Sequence, residues 1–127
     1  MEKNEQIKSI KRTIDYQVKS LKYLFYFCEC IESIYFKKFY RINIINMHDM
    51  FFECKSLKEI NLNNFITNNV TDMNHMFERC SSLKELNLNS FKTNKVTNMD
   101  SLFSGCSSLS KLNLNSFNTY NVNNMEG

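Results

Sequence analysis

The chain of 127 residues contains no Pro, no Trp and no Ala, and it has only two Gly. So little Gly leaves no Gly-rich loop of the kind that holds phosphates. The most apolar stretch, residues 23–36, is interrupted by Glu29 and Glu32 and is shorter than the roughly 20 residues that a bilayer span requires. Hydrophobic residues nevertheless make up 43 % of the chain, which argues against disorder. The sequence therefore predicts one globular domain without a membrane-spanning segment.

The N-terminus does not have the layout of a signal peptide. Its apolar part begins only at Leu21, after a long charged lead, and no small-residue cleavage site follows. As written, the chain is expected to stay in the cytosol, although its true compartment is not determined by these residues.

Positive charge is concentrated at the N-terminal end. Residues 1–41 hold nine Lys or Arg against five Asp or Glu, whereas residues 42–127 hold seven against eight. A basic segment can indicate nucleic acid or an anionic membrane as a partner. Here Glu2, Glu5 and Asp15 interleave with the lysines, which favours a solvated helix face. We expect neither nucleic-acid binding nor membrane insertion.

A pattern of 26 residues recurs along the chain and is marked by Cys54, Cys80 and Cys106. In full it reads Met-x-x-Met/Leu-Phe-x-x-Cys-x-x-Leu-x-x-Leu/Ile-x-Leu-x-x-Phe-x-Thr-x-x-Val, and a weaker copy extends upstream through Cys28 and Ile34. A fixed period of this size is typical of stacked coils, each too small to bury its apolar face alone.

Within one repeat the spacing predicts a short helix and a short strand. Met73, Met76, Phe77 and Cys80 lie at i, i+3, i+4 and i+7, which is the apolar stripe of two helical turns. The position before each stripe holds an N-cap residue, namely Asn46, Asp72, Asn98 and Asn124. After each Cys, apolar and polar residues alternate, as in Leu86 and Leu88, which predicts a strand.

These elements predict an α/β repeat solenoid. It would stack short parallel strands on one face and short helices on the other. We assign residues 1–30 to an N-terminal amphipathic capping helix, based on Ile7, Ile10, Ile14, Leu21 and Leu24. Residues 31–127 would form about four coils, with the last one truncated inside a new helix at 125–127. The open C-terminal edge predicts either a fragment of a longer repeat protein or association with another molecule, including a second copy.

Two motifs carry a resemblance to a known family. They are Met76-Phe77-Glu78-Arg79-Cys80-Ser81-Ser82-Leu83 and Asn69-Val70-Thr71-Asp72-Met73, within a frame that runs from about Met47 to Met125. This frame resembles the BspA-like leucine-rich repeat family. The resemblance implies a non-enzymatic repeat protein that binds a protein partner, often at a cell surface and in the manner of an adhesin. The alternative is a structural or assembly repeat unit.

Residues with reactive or ligating side chains form no recognisable catalytic set. The Cys column predicts buried free thiols, although disulfides between coils are the alternative. Cys28 and Cys30 are separated by one residue, whereas zinc sites usually space their ligands by two to four. His48 and His75 are predicted on the solvent side without a catalytic partner. We therefore predict no enzyme activity, no cofactor and no metal site.

The strand positions that point outward form the candidate binding face. They are mostly Asn and charged residues in columns 26 apart, and two interpretations remain open: an amide ladder between coils, or a polar surface that recognises a protein. The candidate residues are Glu59, Asn61, Asn63, Glu85, Asn87, Asn89, Lys111, Asn113 and Asn115.

Overall fold

A computed structural model describes residues 18–36, 39 and 43–127. Its regular elements are four strands of three residues each, spaced 26 apart: β1 Ser33–Tyr35, β2 Glu59–Asn61, β3 Glu85–Asn87 and β4 Lys111–Asn113. They form two parallel pairs, β1 with β2 and β3 with β4. Each residue pairs with the one 26 positions later, as Ile34 with Ile60 and Leu86 with Leu112. The sequence period is therefore also the spatial register.

The same register continues outside the strands. Ser20, Asn46, Asp72, Asn98 and Asn124 form a column of parallel bridges, each to the next. Between two such bridges the chain completes one coil and returns one layer further along the stack. Five layers are thus joined on this side, where the sequence predicts the N-caps.

The described residues contain no helix, so the predicted α/β solenoid with a helical face is wrong. The segments predicted as helices, 47–54, 73–80 and 99–106, consist of turns. The predicted capping helix is also wrong where it can be compared, since residues 18–29 form turns and a bridge, while residues 1–17 lie outside the described residues. No helix in the described part of the chain could cross a membrane. The assignment of domains at residue 30 stays a prediction.

Backbone hydrogen bonds explain why turns replace the helix. In residues 73–80 the N–H groups of Met76, Glu78 and Cys80 donate to the carbonyl three residues back, at 3.3, 3.1 and 3.1 Å. The N–H groups between them donate to the next coil instead, as from Phe77 to the carbonyl of Leu102 at 3.1 Å. An α-helix would direct every N–H to the carbonyl four residues back within the same segment. Here half of them join neighbouring coils.

This alternation requires left-handed backbone at two positions of each coil. One column contains Tyr23, Asp49, His75, Ser101 and Gly127, and the other contains Phe27, Glu53, Arg79 and Gly105, all with positive φ. Left-handed φ is the third-position conformation of type II turns and favours Gly. Both glycines of the chain lie in these columns. The other seven positions adopt the same conformation with larger side chains.

The core consists of columns of identical or similar apolar residues. Phe25, Phe51, Phe77 and Phe103 stack in order, with ring centroids 5.6, 5.3 and 5.9 Å apart. Each fully buried Phe contributes about 1.5–3 kcal/mol from its removal from water. Cys54 and Cys80 are fully buried between such layers, which confirms the prediction of buried free thiols for these two. Cys30 is exposed, and Cys28 and Cys106 are half-buried.

One interface in the stack lacks strand pairing. Although β2 and β3 are neighbours, no backbone hydrogen bond joins 58–62 to 84–88 among the described residues. The equivalent positions here carry like charges, Glu59 with Glu85 and Lys58 with Lys84. Like charges on directly opposite strand positions are destabilising. We call this interface the seam, and it divides the predicted continuous sheet into two pairs of strands.

Candidate functional site

The predicted binding face lies on the outer side of the four strands. Its members on and just after β2, β3 and β4 are exposed or nearly so, and the 26-residue register places them in three columns: Glu59, Glu85 and Lys111; Asn61, Asn87 and Asn113; and Asn63, Asn89 and Asn115. The strands therefore bring the candidate residues together as the sequence predicts, although the seam separates the β2 residues from the rest. Whether these residues bind a partner stays a prediction.

The middle column does not form the hydrogen bonds expected of an amide ladder. The Oδ1 atoms of Asn61, Asn87 and Asn113 each accept from the backbone N–H two residues later, at 3.0, 3.0 and 3.1 Å. Such Asx turns fix each side chain within its own coil. The three Asn residues therefore shape the chain where each strand ends, and they present their remaining amide groups outward.

Charged residues on this face pair mostly with the neighbouring coil. Lys111 Nζ lies 2.5 Å from Glu85 Oε1, Lys58 Nζ lies 3.0 Å from Glu32 Oε2, and the Tyr35 hydroxyl donates to Glu59 at 2.6 Å. The hydrogen bond to Glu59 is the largest cause that raises the pKa of Tyr35. Because these pairs are exposed, each contributes little to stability. They place charged side chains of neighbouring coils next to each other on this surface.

A shallow hollow of about 540 Å³ lies on the same surface. Its polar rim comes from β3 and β4, and apolar atoms of Ile60 reach it from the other side of the seam. The lining residues are Ile60, Glu85, Leu86, Asn87, Ser110, Lys111, Leu112 and Asn113. Four of the predicted binding residues therefore line one depression that mixes charge, amide and aliphatic groups.

A second polar cluster lies on the side formed by the turns, which we call the turn side and define as residues 20–29, 46–55, 72–81 and 98–107. His48 Nε2 lies 2.7 Å from Asp49 Oδ2, and His75 Nδ1 lies 2.5 Å from Glu78 Oε2. His75 Nε2 is also 3.5 Å from Asp100 Oδ2. The sequence predicted both His without such partners. Asp49 and Glu78 belong to the same coil as their His partners, whereas Asp100 reaches His75 from the next coil. The left-handed backbone at Asp49 and His75, which positions these side chains, gives little sequence signal.

The cluster combines ion pairs with a buried carboxylate, but it does not form a metal site. Burial raises the pKa of Asp49, partly offset by His48 and His75. His48 Nδ1 also contacts Asn74 Oδ1 of the next coil. No group of three His, Cys, Asp or Glu residues is arranged to hold a metal ion within residues 18–36, 39 and 43–127.

Glu53 is the most buried carboxylate of the turn side. Lys55 Nζ lies 2.6 Å from one of its oxygens, and Arg79 Nη1 of the next coil lies 2.5 Å from the other. Hydrogen bonds from Lys55 and then Arg79 lower the pKa of Glu53. This pairing satisfies a charge that would otherwise be costly to bury.

The predicted N-cap residues have a related but different role. Asn46, Asp72 and Asn98 accept a hydrogen bond from the N–H two residues later, at 2.9, 3.1 and 3.0 Å, and no helix follows. The prediction of N-caps is therefore wrong, although the same side-chain oxygens do bind nearby backbone N–H groups. They stabilise the start of each turn segment.

The Cys column makes one repeated contact between coils. The Sγ of Cys54, Cys80 and Cys106 donates to the carbonyl of Phe25, Phe51 and Phe77 at 3.2, 3.2 and 3.1 Å. Removal from water raises the pKa of Cys54 to about 12 and that of Cys106 to about 11. Thiols held neutral in this way are weak nucleophiles. These Cys residues therefore fill the core and join neighbouring coils, and their raised pKa values do not favour a role as nucleophiles.

The sequence matches the model of one known protein family. The model of a family described as "Mycoplasma protein of unknown function, DUF285" matches residues 18–127. The chain belongs to the DUF285 family. The match covers all four strands and every turn segment of the described structure. No curated protein and no solved structure was found to match this DUF285 chain.

Proposed function

We propose that this DUF285 chain is a non-enzymatic protein-interaction module of the BspA-like surface type. The observation that carries the proposal is the strand face, where exposed amide and charged side chains stand in register around one hollow. Exposed polar groups held in a fixed pattern provide specificity at protein interfaces, while the aliphatic atoms of the hollow provide buried area. The BspA-like motifs quoted above favour a protein of another cell as the partner.

The column of Asn63 and Asn89 allows a clean test of this face. Both side chains are exposed and make no hydrogen bond in the described structure, unlike Asn61 and Asn87, which close turns. The double variant Asn63→Ala/Asn89→Ala should therefore fold normally. The matched control is Asn68→Ala/Asn94→Ala, because these two are also exposed and 26 residues apart but lie away from the strands.

The assay measures binding to an array of purified cell-surface and extracellular-matrix proteins by biolayer interferometry. We expect the wild type to bind at least one member with micromolar affinity or better. The strand-face variant should lose at least about tenfold in affinity, equivalent to about 1.4 kcal/mol. The control should bind like the wild type. Absence of any wild-type binding, or equal binding by the strand-face variant, would refute the proposal.

A second candidate function is assembly, and the exposure of β4 favours it. Leu112 is 40 % exposed, whereas Leu86, its equivalent one coil earlier, is 3 % exposed. β4 is also bonded on one side only, to β3. An exposed strand edge with apolar side chains can pair with another chain. If a second copy binds here, sedimentation should show concentration-dependent dimers that Leu112→Lys abolishes; a monomer at all concentrations would rule this out.

A further inference from the structure

The turn side carries an exposed aromatic patch at its N-terminal end. The patch consists of Tyr23, Tyr26, Phe27 and Phe52, and the first three are 47, 42 and 49 % exposed. Their rings contact one another, with Tyr26 stacked on Phe52 at 5.1 Å and edge-on to Phe27 at 4.6 Å. Four clustered aromatic rings at the surface are typical of a binding site, because isolated exposed apolar residues are common but contiguous patches are not.

The patch contacts the next coil, as from the Tyr23 hydroxyl to His48 Nε2 at 3.2 Å, but it is not a repeated feature of the coil stack. The equivalent positions in the next coils are occupied by charged or small residues, so that Tyr26 and Phe52 are followed by Glu78 and Ser104. Phe27 is likewise followed by Glu53, Arg79 and Gly105. The backbone conformation at these positions is the same in every coil and does not require an aromatic side chain.

The electrostatic surroundings of the patch are acidic. The turn side carries three cations, Lys22, Lys55 and Arg79, against six carboxylates, which gives a net charge of −3 with His neutral. The carboxylates are Glu29, Asp49, Glu53, Asp72, Glu78 and Asp100. The whole chain has the opposite sign, +3. The turn side is therefore negative although the chain as a whole is positive. Its carboxylates already form ion pairs within the stack, as Glu29 with Lys55 at 2.7 Å, but the turn side keeps its net charge of −3.

Two residues of the patch interact with charged neighbours. The pKa of the Tyr26 hydroxyl is raised, first by partial removal from water and then by neighbours that include the carboxylates of Asp49, Glu53 and Glu78. Lys22 already places its Nζ 5.6 Å from the centre of the Tyr23 ring. A cation over an aromatic face is attracted by the ring quadrupole, and the attraction increases when the cation is desolvated.

We propose that the aromatic patch is a second interaction site, distinct from the strand face, and that it binds an arginine-rich segment of a partner protein. Guanidinium groups combine flat stacking on aromatic rings with paired hydrogen bonds to carboxylates. The patch offers the exposed rings, and Glu29, two residues from Phe27, is an exposed carboxylate, whereas Asp49 and Glu53 are buried. Tyr and Arg are also the residues that most often dominate binding energy at protein interfaces. A neutral apolar partner would use the rings alone and would gain nothing from the net negative charge of the turn side.

The test uses the full chain and a fluorescent twelve-residue peptide in which Arg alternates with Ser, compared with the same peptide containing Glu or Gln in place of Arg. Fluorescence anisotropy should show binding of the Arg peptide that weakens as salt is raised, and at least about tenfold weaker binding of the Gln peptide. Thermal melting should show that every variant used in this test is folded, because each changes only exposed side chains.

The patch variant is Tyr23→Ala/Phe27→Ala, and the control is Tyr120→Ala, which removes a Tyr that is 90 % exposed elsewhere. The patch variant should bind the Arg peptide at least about tenfold more weakly, and the control within about twofold of the wild type. Glu29→Gln removes an exposed carboxylate, two residues from Phe27, that pairs with Lys55 at 2.7 Å. It makes the turn side less negative and should weaken binding by about two- to fivefold and reduce its salt dependence.

Several results would overturn the proposal: no binding of the Arg peptide to the wild type, equal binding of the Gln peptide, or equal losses in the patch variant and the control. If the basic N-terminal segment of the same chain occupied the patch, the Arg peptide would not bind, and this result would also count against a partner protein as the ligand. The strand-face variant Asn63→Ala/Asn89→Ala should bind the Arg peptide normally. Failure of this site is thereby separated from failure of the proposed strand-face function.

Discussion

Replacing Gly105 by Ala distinguishes the observed turn from the helix that the sequence suggests. Gly105 has φ +71°, and a Cβ added there would lie 3.0 Å from Arg79 Cγ. An L-residue in left-handed backbone costs about 1–2 kcal/mol. The Ala side chain recovers about 0.4–1 kcal/mol by restricting the unfolded chain. The contact with Arg79 involves a flexible side chain that can move, so we expect a net loss of about 0.5–1.5 kcal/mol.

A helix at 99–106 would give the opposite sign. Ala is better than Gly by about 0.5–1 kcal/mol in a helix interior, so Gly105→Ala would then stabilise the protein. For a chain of this size 1 kcal/mol changes Tm by about 4 °C. If residues 99–106 form the turn, the Tm of Gly105→Ala should be about 2–6 °C below that of the wild type. If they form a helix, it should be about 2–4 °C above.

Ser101→Gly provides the reverse change in the other left-handed column, where Ser101 has φ +49°. In the turn, Gly relieves backbone strain and should leave Tm unchanged or raise it by up to about 4 °C. In a helix the same change would lower Tm. Ser108→Ala, at an exposed position outside both columns, serves as the control and should stay within about 0.5 kcal/mol.

The measurement is thermal unfolding followed by circular dichroism, with reversibility checked by a second scan. A Gly105→Ala variant that melts above the wild type, together with a Ser101→Gly variant that melts below it, would refute the left-handed turns and the cross-coil hydrogen bonds that depend on them. Far-ultraviolet spectra should also lack a helical signal for the described coils.

Two further predictions concern the thiols and the buried ion pair. In the native protein the exposed Cys30 should react with a thiol reagent within minutes. Cys54 is buried, and burial raises its pKa to about 12, so it should react only as fast as the protein opens. After denaturation five free thiols should be counted, and three or fewer would contradict the free-thiol structure. Because hydrogen bonds from Lys55 and Arg79 lower the pKa of Glu53, its charge stabilises the fold above the unfolded pKa of about 4.5 and this contribution is lost as pH falls through the folded pKa. Glu53→Gln should therefore lower Tm at pH 7, and its difference from the wild type should shrink as pH falls through the folded pKa of Glu53; a difference that stays constant from neutral to acidic pH would contradict the pairing.

The strands could be predicted from the sequence because their pattern has one simple interpretation. Leu86 and Leu88 alternate with polar residues. In the structure Leu86 lies in β3 and Leu88 directly after it, and both are buried. The 26-residue period likewise gave the register directly, since residues one period apart pair in β1–β2 and β3–β4. Continuity of the sheet could not be predicted from the period, because it depends on which charges meet at each interface.

The helices were predicted wrongly because apolar spacing does not distinguish a helix from a series of turns. Met73, Met76, Phe77 and Cys80 all reach the core in the turn arrangement as well. What decides between the two is the left-handed backbone, and residues such as His75 give no sequence sign of it. The available signal was Gly105, one of only two glycines in the chain, at the same place in its repeat as Arg79.

The sequence predicted where the strand-face residues lie, but not the side-chain contacts of the turn side. The positions of Asn87 and Asn113 on the outer face followed from strand alternation. The pairing of His75 with Glu78 and Asp100 could not be foreseen, since it joins residues from two coils through a turn of unexpected conformation. The aromatic patch could not be predicted, because Tyr23, Tyr26 and Phe27 lie in the weak upstream copy of the repeat, whose sequence does not show which rings are exposed.

The seam between β2 and β3 has a consequence for how the molecule opens. In a stack of repeats each layer is held mainly by its two neighbours, so the interface with fewest bonds limits cooperativity. At the seam the layers are joined on the turn side, as from Met47 N–H to the carbonyl of Asp72 at 2.9 Å, but not between the strands. Opening should therefore begin on the strand side in the middle of the stack and divide it into two cooperative units of two coils each. A protein that loosens from its centre, and not from its ends, can vary the curvature of its strand face while both halves remain folded.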